Sequence, residues 1–113
     1  MRAGLIAIAA FLAGILPCRA AVKNGNFMLP ACQEALSGKA SFLAGVCYGS
    51  VDALVFWGAD LPPEYRICLP SGATNEQLAR VFVRYMETHP DTLHYAYTIL
   101  AAKAFHEAWP CKQ

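Results

Sequence analysis

The sequence predicts an all-α fold, a small disulfide-stapled bundle of about four helices. Apolar residues recur at intervals of three and four, the spacing of one helix face, rather than at the interval of two typical of strands. A chain of 113 residues allows one domain with a modest core, and such domains gain stability from disulfides. Four cysteines remain once a predicted export signal is removed: Cys32, Cys47, Cys68 and Cys111.

Residues 1–20 are interpreted as a signal peptide. A single arginine precedes an uncharged apolar run that ends before Pro17. This run is shorter than the roughly 18 to 20 residues needed to cross a bilayer, so an uncleaved membrane anchor is disfavoured. Cleavage also removes Cys18 and leaves an even number of cysteines, whereas lipidation of Cys18 is the alternative. We therefore expect a domain over residues 21–113 in the oxidising periplasm.

Charge and hydropathy exclude two classes of partner for the exported chain. The formal net charge is +1, and loss of the two arginines of the signal makes it slightly negative. No cluster of lysine and arginine follows, so we expect no nucleic-acid partner. The longest apolar stretch, residues 40–61, contains Asp52 and several glycines. This stretch is therefore interpreted as a buried helix, and we expect no membrane span after signal cleavage.

The first predicted helix covers residues 27–37. Met28, Cys32, Ala35 and Leu36 fall on one side of it, and Gly38 is suited to the left-handed position that ends a helix. The side chain of Cys32 is therefore expected to face the core.

The second predicted helix covers residues 41–56. Gly45, Gly49 and Ala53 are spaced by four and form a strip of small residues, which we expect to permit close approach of another backbone. The apolar stripe of this helix consists of Leu43, Val46, Cys47, Ser50, Val51 and Leu54.

A long connection and a third helix follow. Residues 57–72 contain three prolines and no periodicity, so they are predicted to form an ordered loop pinned by Cys68. Thr74 and Gln77 have the spacing of a capping box and predict a helix that begins at Thr74 and ends before Pro90. Its predicted inner stripe consists of Leu78, Val81, Phe82 and Tyr85.

The fourth predicted helix begins at Pro90 or slightly later and continues to Trp109. Apolar residues occupy two sides of it, which predicts a central helix or a subunit interface. One side carries Leu93, Tyr97, Leu100, Ala104 and Phe105, and the other carries Tyr95, Ile99 and Ala102.

Four cysteines allow three pairings, and the helix order favours one of them. An antiparallel hairpin of the first two helices would bring Cys32 close to Cys47, which leaves Cys68 to pair with Cys111. A metal site is disfavoured because no C-x-x-C pair occurs. We expect neither a metal nor another cofactor.

No arrangement of residues indicates catalysis, so we predict that the protein is not an enzyme. His89 and His94 are separated by five positions across a proline, and we interpret both as helix-end caps. His106 lies where the dipole of the last helix favours a cation. Asp52 is interpreted as facing water or a backbone donor of the long loop.

The start of the long loop has the composition of a recognition surface, with aromatic rings, acidic groups and rigid prolines. In the alternative interpretation, Phe56 and Trp57 cover the core and only the acids are exposed. The predicted partner-binding residues are Trp57, Asp60, Glu64 and Tyr65.

The order of these features resembles the Rap/Tai family of type VI secretion amidase immunity proteins. The resemblance extends over nearly all of residues 21–113. It is carried by Cys32, by FLAGVCYG at residues 42–49, by ICLP at 67–70, by QLARVFVRY at 77–85, by His89-Pro90 and Leu93-His94, and by AWPC at 108–111.

The resemblance implies a small helical periplasmic protein, often a homodimer, with no catalysis of its own. Such a protein binds a cell-wall amidase effector and blocks its active site. Two alternatives without a toxin partner share the same features, namely a structural protein of the envelope and a chaperone-like protein.

Overall fold

The computed structural model describes residues 23–112 and confirms the all-α prediction. This part of the chain forms four α-helices: α1 (Gly25–Leu36), α2 (Phe42–Phe56), α3 (Asn75–Thr88) and α4 (Tyr97–Ala108). Short 3-10 helices occupy Gly58–Asp60 and Pro90–Thr92 in the connections. Among the described residues there is no β-strand, only two isolated bridges, Asn24 with Ala96 and Ile67 with Pro110. The predicted signal peptide lies outside the described residues.

Helices α1 and α2 form the predicted antiparallel hairpin. Gly38 adopts a φ of +79° in the turn, a conformation that glycine enters without steric cost. Cys32 and Cys47 face each other across the hairpin, form a disulfide and are completely buried. Helix α1 begins two residues earlier than predicted, because the Asn24 side chain accepts a hydrogen bond from the Phe27 amide at 3.1 Å and caps the helix.

The outer face of α2 corrects two expectations. The helix is not buried on all sides, since Phe42 is 80 % exposed at one end and Phe56 is 76 % exposed at the other. Gly45 and Gly49 lie between these rings, and a Cβ atom added to either would meet nothing within 4 Å. The small-residue strip therefore faces solvent, and no other helix of the described residues approaches it.

Helix α3 follows the sequence prediction closely. The Thr74 hydroxyl accepts from the Gln77 amide at 3.2 Å, and the Gln77 side chain accepts from the Thr74 amide at 3.0 Å. This capping box satisfies two amides that the first helical turn leaves unpaired. Leu78 and Phe82 are buried as predicted, and Phe82 packs against Phe105 of α4.

Helix α4 begins at Tyr97, later than the predicted start at or slightly after Pro90. The intervening carbonyls of Leu93 and Tyr95 accept hydrogen bonds from the Asn26 amide at 3.1 Å and the Gly25 amide at 3.2 Å. Those two amides belong to the first turn of α1 and have no partner within their own helix. The segment before α4 therefore caps α1 instead of extending α4.

A second disulfide joins Cys68 to Cys111, which confirms the favoured pairing. Unlike the first disulfide, it lies at the surface, with Cys68 exposed and Cys111 half-buried. Within the described residues, none of the helices has both the length and the apolar character needed to cross a membrane.

Candidate functional site

The connection between α2 and α3 is an ordered loop whose two arms are tied together. The 3-10 helix that starts it is closed by the Asp60 amide, which donates to the Trp57 carbonyl at 2.9 Å. The Ile67 amide then donates to the Gly58 carbonyl at 2.9 Å and joins the returning arm to the outgoing one. Gly58 is buried against Ile67, and an added Cβ would approach the Ile67 Cβ to 3.0 Å. A side chain at position 58 would therefore require Ile67 to shift slightly.

The returning arm is also fixed to the C-terminal end of α4. The Cys68 amide donates to the Trp109 carbonyl at 3.0 Å, next to the disulfide between Cys68 and Cys111. The carbonyl of Arg66, the residue before Ile67, lies 2.6 Å from Nδ1 of His106. Since a carbonyl only accepts, Nδ1 carries the proton in this contact. The loop is therefore a rigid platform.

His106 lies in the last turn of α4, as predicted, and has a second structural role that was not predicted. The sequence places His106 at the helix end, where the helix dipole favours a cation. The structure adds a hydrogen bond to the Arg66 carbonyl, 40 positions away in the chain. This partner is a backbone carbonyl far away in sequence, and nothing in the local pattern identifies it.

We expect His106→Ala to loosen the returning arm of the loop. The substitution removes the donor to the Arg66 carbonyl, and losing one such hydrogen bond costs about 1 kcal/mol. Amide hydrogen exchange at Ile67 and Cys68 should become faster, while exchange in α3 should change little. His94→Ala is the matched control, because His94 is exposed and only packs edge-on against Tyr95. Equal acceleration in both variants would contradict the anchoring role.

The predicted partner-binding residues form the loop surface, defined as Trp57, Asp60, Glu64 and Tyr65. Trp57 is 61 % exposed and stacks edge-to-face on Phe56 with ring centroids 5.2 Å apart. Both aromatic rings lie at the surface, so the alternative in which they cover the core is wrong. Asp60 and Glu64 are exposed, and Tyr65 is half-buried. The loop thus presents an aromatic ring and two carboxylates on one rigid segment.

An apolar groove of about 180 Å³ adjoins the loop surface. It lies between the loop and the outer side of α4, where Ile99 is 43 % exposed. The sequence places Ile99 and Ala102 on a second apolar side of α4 without connecting them to the loop. The groove is lined by Leu54, Leu61, Tyr65, Thr98, Ile99 and Ala102.

A second groove, of about 250 Å³, lies between α3 and α4 and is called the tyrosine groove. Tyr85 and His89 stack there with ring centroids 4.1 Å apart. Nδ1 of His89 lies 2.8 Å from the Tyr85 carbonyl at the end of α3, which confirms the predicted capping role of His89. The lining residues are Val81, Arg84, Tyr85, Thr88, His89, Ala104, Glu107 and Ala108.

Burial raises the pKa of the Tyr85 phenol above its ordinary value of 10.0, and the carboxylates of Glu107 and Asp91 raise it further. These influences favour the neutral phenol in the folded state. The folded state therefore keeps its full stability below pH 10, where the phenol is neutral. This stability decreases as the pH rises from that value through the folded pKa, because the phenolate is disfavoured in the folded protein.

We expect Glu107→Gln to lower the pKa of Tyr85 without restoring its ordinary value, since burial remains. Absorbance titration of tyrosinate, taken as the difference between each protein and its Tyr85→Phe partner, measures this pKa. Asp52→Asn is the matched control, because Asp52 is exposed on α2 and belongs to neither groove. An unchanged Tyr85 pKa in Glu107→Gln would contradict the assigned electrostatic influence.

Two other candidate residues lie outside both grooves. Asp52 faces water, in agreement with its structural interpretation. The prediction that His94 caps a helix end is wrong, because α4 starts after Ala96. The His94 ring instead packs against the Tyr95 ring, with the ring centroids 4.4 Å apart. Within residues 23–112, no three side chains of His, Cys, Asp or Glu are grouped so that they could hold a metal ion.

Comparison with known proteins identifies the family. The family model described as Rap1a immunity proteins matches residues 24–111, a range that includes all four helices and both disulfides. A search of curated proteins returns no match, and a search of solved structures returns none either. On the strength of the family match, which extends over most of its length, this chain belongs to the Rap1a immunity protein family.

Proposed function

We propose that this protein is a periplasmic immunity protein that binds and inhibits a peptidoglycan amidase effector of a type VI secretion system. The observation that carries the proposal is a rigid, exposed loop surface in a member of the Rap1a immunity family. Trp57 offers the kind of large, rigid ring that dominates protein interfaces. Asp60 and Glu64 add charge that steers association and selects the partner. The protein blocks the effector by occupying its cleft and performs no catalysis.

The chemistry of the cysteines supports the periplasmic location. Two disulfides stabilise the described residues, and disulfides persist in oxidising compartments such as the periplasm. The signal peptide predicted for residues 1–20 would direct the chain there. A periplasmic protein meets an amidase where that enzyme attacks the cell wall.

Affinity capture tests the proposal. The exported, oxidised protein, residues 21–113, is incubated with envelope extracts and with the supernatant of type VI-competent cells, and bound proteins are identified by mass spectrometry. We expect one stoichiometric cell-wall amidase, and its hydrolysis of purified peptidoglycan should stop when the protein is added. A diffuse set of weakly bound proteins, or no bound protein, would contradict the immunity role and favour an envelope structural or chaperone-like protein.

We further propose that the protein forms a homodimer through the outer face of α2. Phe42 and Phe56 project from this face at either end, and the exposed Gly45, Gly49 and Ala53 lie between them. Small residues let a second helix approach closely, so that the two rings of one protomer could pack over those of the other. A two-fold axis would make this surface self-complementary.

We expect Gly49→Glu to convert the dimer to a monomer by placing a charge in the centre of this face. A side chain at Gly49 meets open space within one protomer, so the fold should tolerate it. Sedimentation equilibrium measures the mass, and Ala59→Glu adds the same charge at an exposed position on the loop as a control. A mass that is identical for wild type and Gly49→Glu would contradict the proposed interface.

A further inference from the structure

The apolar groove beside the loop surface has the size of a binding site for one side chain. Its volume is about 180 Å³, and a cavity of roughly 150 Å³ lined by aliphatic and aromatic groups accommodates benzene. The volume of this open groove is therefore comparable with that of a leucine or phenylalanine side chain. The walls come from three elements, with Leu54 on α2, Leu61 and Tyr65 on the loop, and Ile99 on α4. No side chain of the described residues fills this space.

The groove is formed before any partner arrives. The Leu61 carbonyl accepts from Nε of Arg66 at 3.2 Å, and the Tyr65 amide donates to the Pro62 carbonyl at 2.8 Å. These bonds hold the two loop residues that form one wall. The opposite wall belongs to α4, whose Ala102 is 6 % exposed at the base of the groove. A partner would therefore pay little of the ordering cost that weakens binding to flexible surfaces.

Two acidic residues directly precede residues that line the groove, since Asp60 comes before Leu61 and Glu64 before Tyr65. The ion pairs found among residues 23–112 are Lys39 with Glu34 and Arg80 with Glu76, so the exposed carboxylates of Asp60 and Glu64 have no cationic partner there. Residues 57–65 contain no lysine or arginine, and the next residue, Arg66, directs its Nε to the Leu61 carbonyl and is not a member of those ion pairs. Unpaired carboxylates beside an apolar groove are complementary to a segment in which lysine or arginine flanks an apolar residue.

We infer that the apolar groove binds one leucine- or phenylalanine-type side chain of the partner, presented between basic residues that pair with Asp60 and Glu64. This inference rests on the proposed function, since the partner concerned is the effector. This part of the protein then has two roles in the complex. The loop surface occupies the cleft of the effector. The apolar groove beside it binds a side chain from the rim of that cleft, and this contact fixes how the two proteins are oriented.

A peptide titration tests the groove without the effector. The probes are acetyl-Lys-Phe-Lys-amide, acetyl-Lys-Ala-Lys-amide and acetyl-Glu-Phe-Glu-amide, added to the isotopically labelled exported protein and followed by NMR. We expect the first peptide to bind about tenfold more tightly than either of the others, because each control lacks the apolar or the basic element. The chemical-shift changes that this peptide causes in the protein should centre on Leu61, Ile99 and Ala102. Equal affinity for the three peptides, or changes centred elsewhere, would overturn the inference.

Two substitutions in the groove provide the second arm. Ala102→Phe should fill the groove, and Ile99→Ser should remove one apolar wall at a half-exposed position where the fold is not strained. Each substitution should lower the affinity for acetyl-Lys-Phe-Lys-amide about tenfold. Ala53→Ser is the matched control on the exposed face of α2. Unchanged binding by Ile99→Ser, with its melting temperature retained, would overturn the inference even if Ala102→Phe failed to fold.

The two proposals can fail separately. An inhibited amidase captured by a protein that shows no preference for the basic-apolar peptide would leave the immunity role standing and overturn the groove inference. Conversely, preferential peptide binding without capture of an amidase would support the groove as a binding site and contradict the proposed partner.

Discussion

Replacement of Cys32 and Cys47 by alanine is expected to lower the free energy of unfolding by at least about 3 kcal/mol. The disulfide closes a loop with a sequence separation of 15, and in the chain-entropy model a closure of that length contributes about 3 kcal/mol. Both sulfurs are also completely buried between α1 and α2, so their removal leaves a void in the core. For a domain of this size the melting temperature should fall by about 12 °C or more.

The second disulfide offers a matched comparison. Cys68 and Cys111 have a sequence separation of 43, for which the same model gives about 4 kcal/mol. This disulfide lies at the surface, so its removal leaves no void in the core, and it should be reduced first when a mild reductant is added. Differential scanning calorimetry and thiol alkylation followed by peptide mapping measure both effects. A Cys32→Ala, Cys47→Ala variant that melts within a few degrees of wild type would contradict the core role of that disulfide.

The elements that could be predicted from the sequence are those set by local signals. Thr74 and Gln77 identify the start of α3 because the capping box is a contact between neighbours in sequence. The pairing of Cys32 with Cys47 follows from a hairpin whose turn is marked by Gly38. In both cases the residues that decide the structure are close in sequence, with a separation of at most 15 positions.

The features that escaped prediction depend on residues distant in sequence. The start of α4 is delayed because Leu93 and Tyr95 cap α1, a contact that no pattern near Pro90 reveals. The sequence pattern places His106 correctly in the last helix, but the partner of His106, the Arg66 carbonyl, lies in another segment. The same applies to the apolar groove, whose walls come from residues that are adjacent only after folding. Sequence periodicity identifies apolar faces but not the faces that remain uncovered.

The candidate site shows this limit most clearly. The composition of the loop points to Trp57 and the acidic residues, but composition alone does not decide whether the aromatic rings cover the core. The exposed fraction of Trp57 resolves that question, because a ring 61 % exposed is available to a partner. Phe42 could not be distinguished from a core residue, since it continues the apolar composition of α2. The structure therefore separates two exposed aromatic regions, one at each end of this helix.

Trp57→Ala is expected to weaken binding of the captured effector by about 30-fold, which corresponds to about 2 kcal/mol, the scale of an interface hot spot. The indole is exposed in the free protein, so its removal should leave the melting temperature almost unchanged. Isothermal titration calorimetry with the purified effector measures the affinity per protomer.

Phe42→Ala is the matched control, because Phe42 is also a large exposed ring on α2 but lies at the opposite end of the helix. It belongs to the face proposed for self-association, so its loss should change the mass of the assembly and leave the affinity per protomer intact. The reverse pattern, with Phe42→Ala weakening effector binding and Trp57→Ala leaving it unchanged, would move the effector interface to the outer face of α2. Because the two variants remove rings of similar exposure, a difference between them reports the location of the interface rather than a general loss of apolar surface.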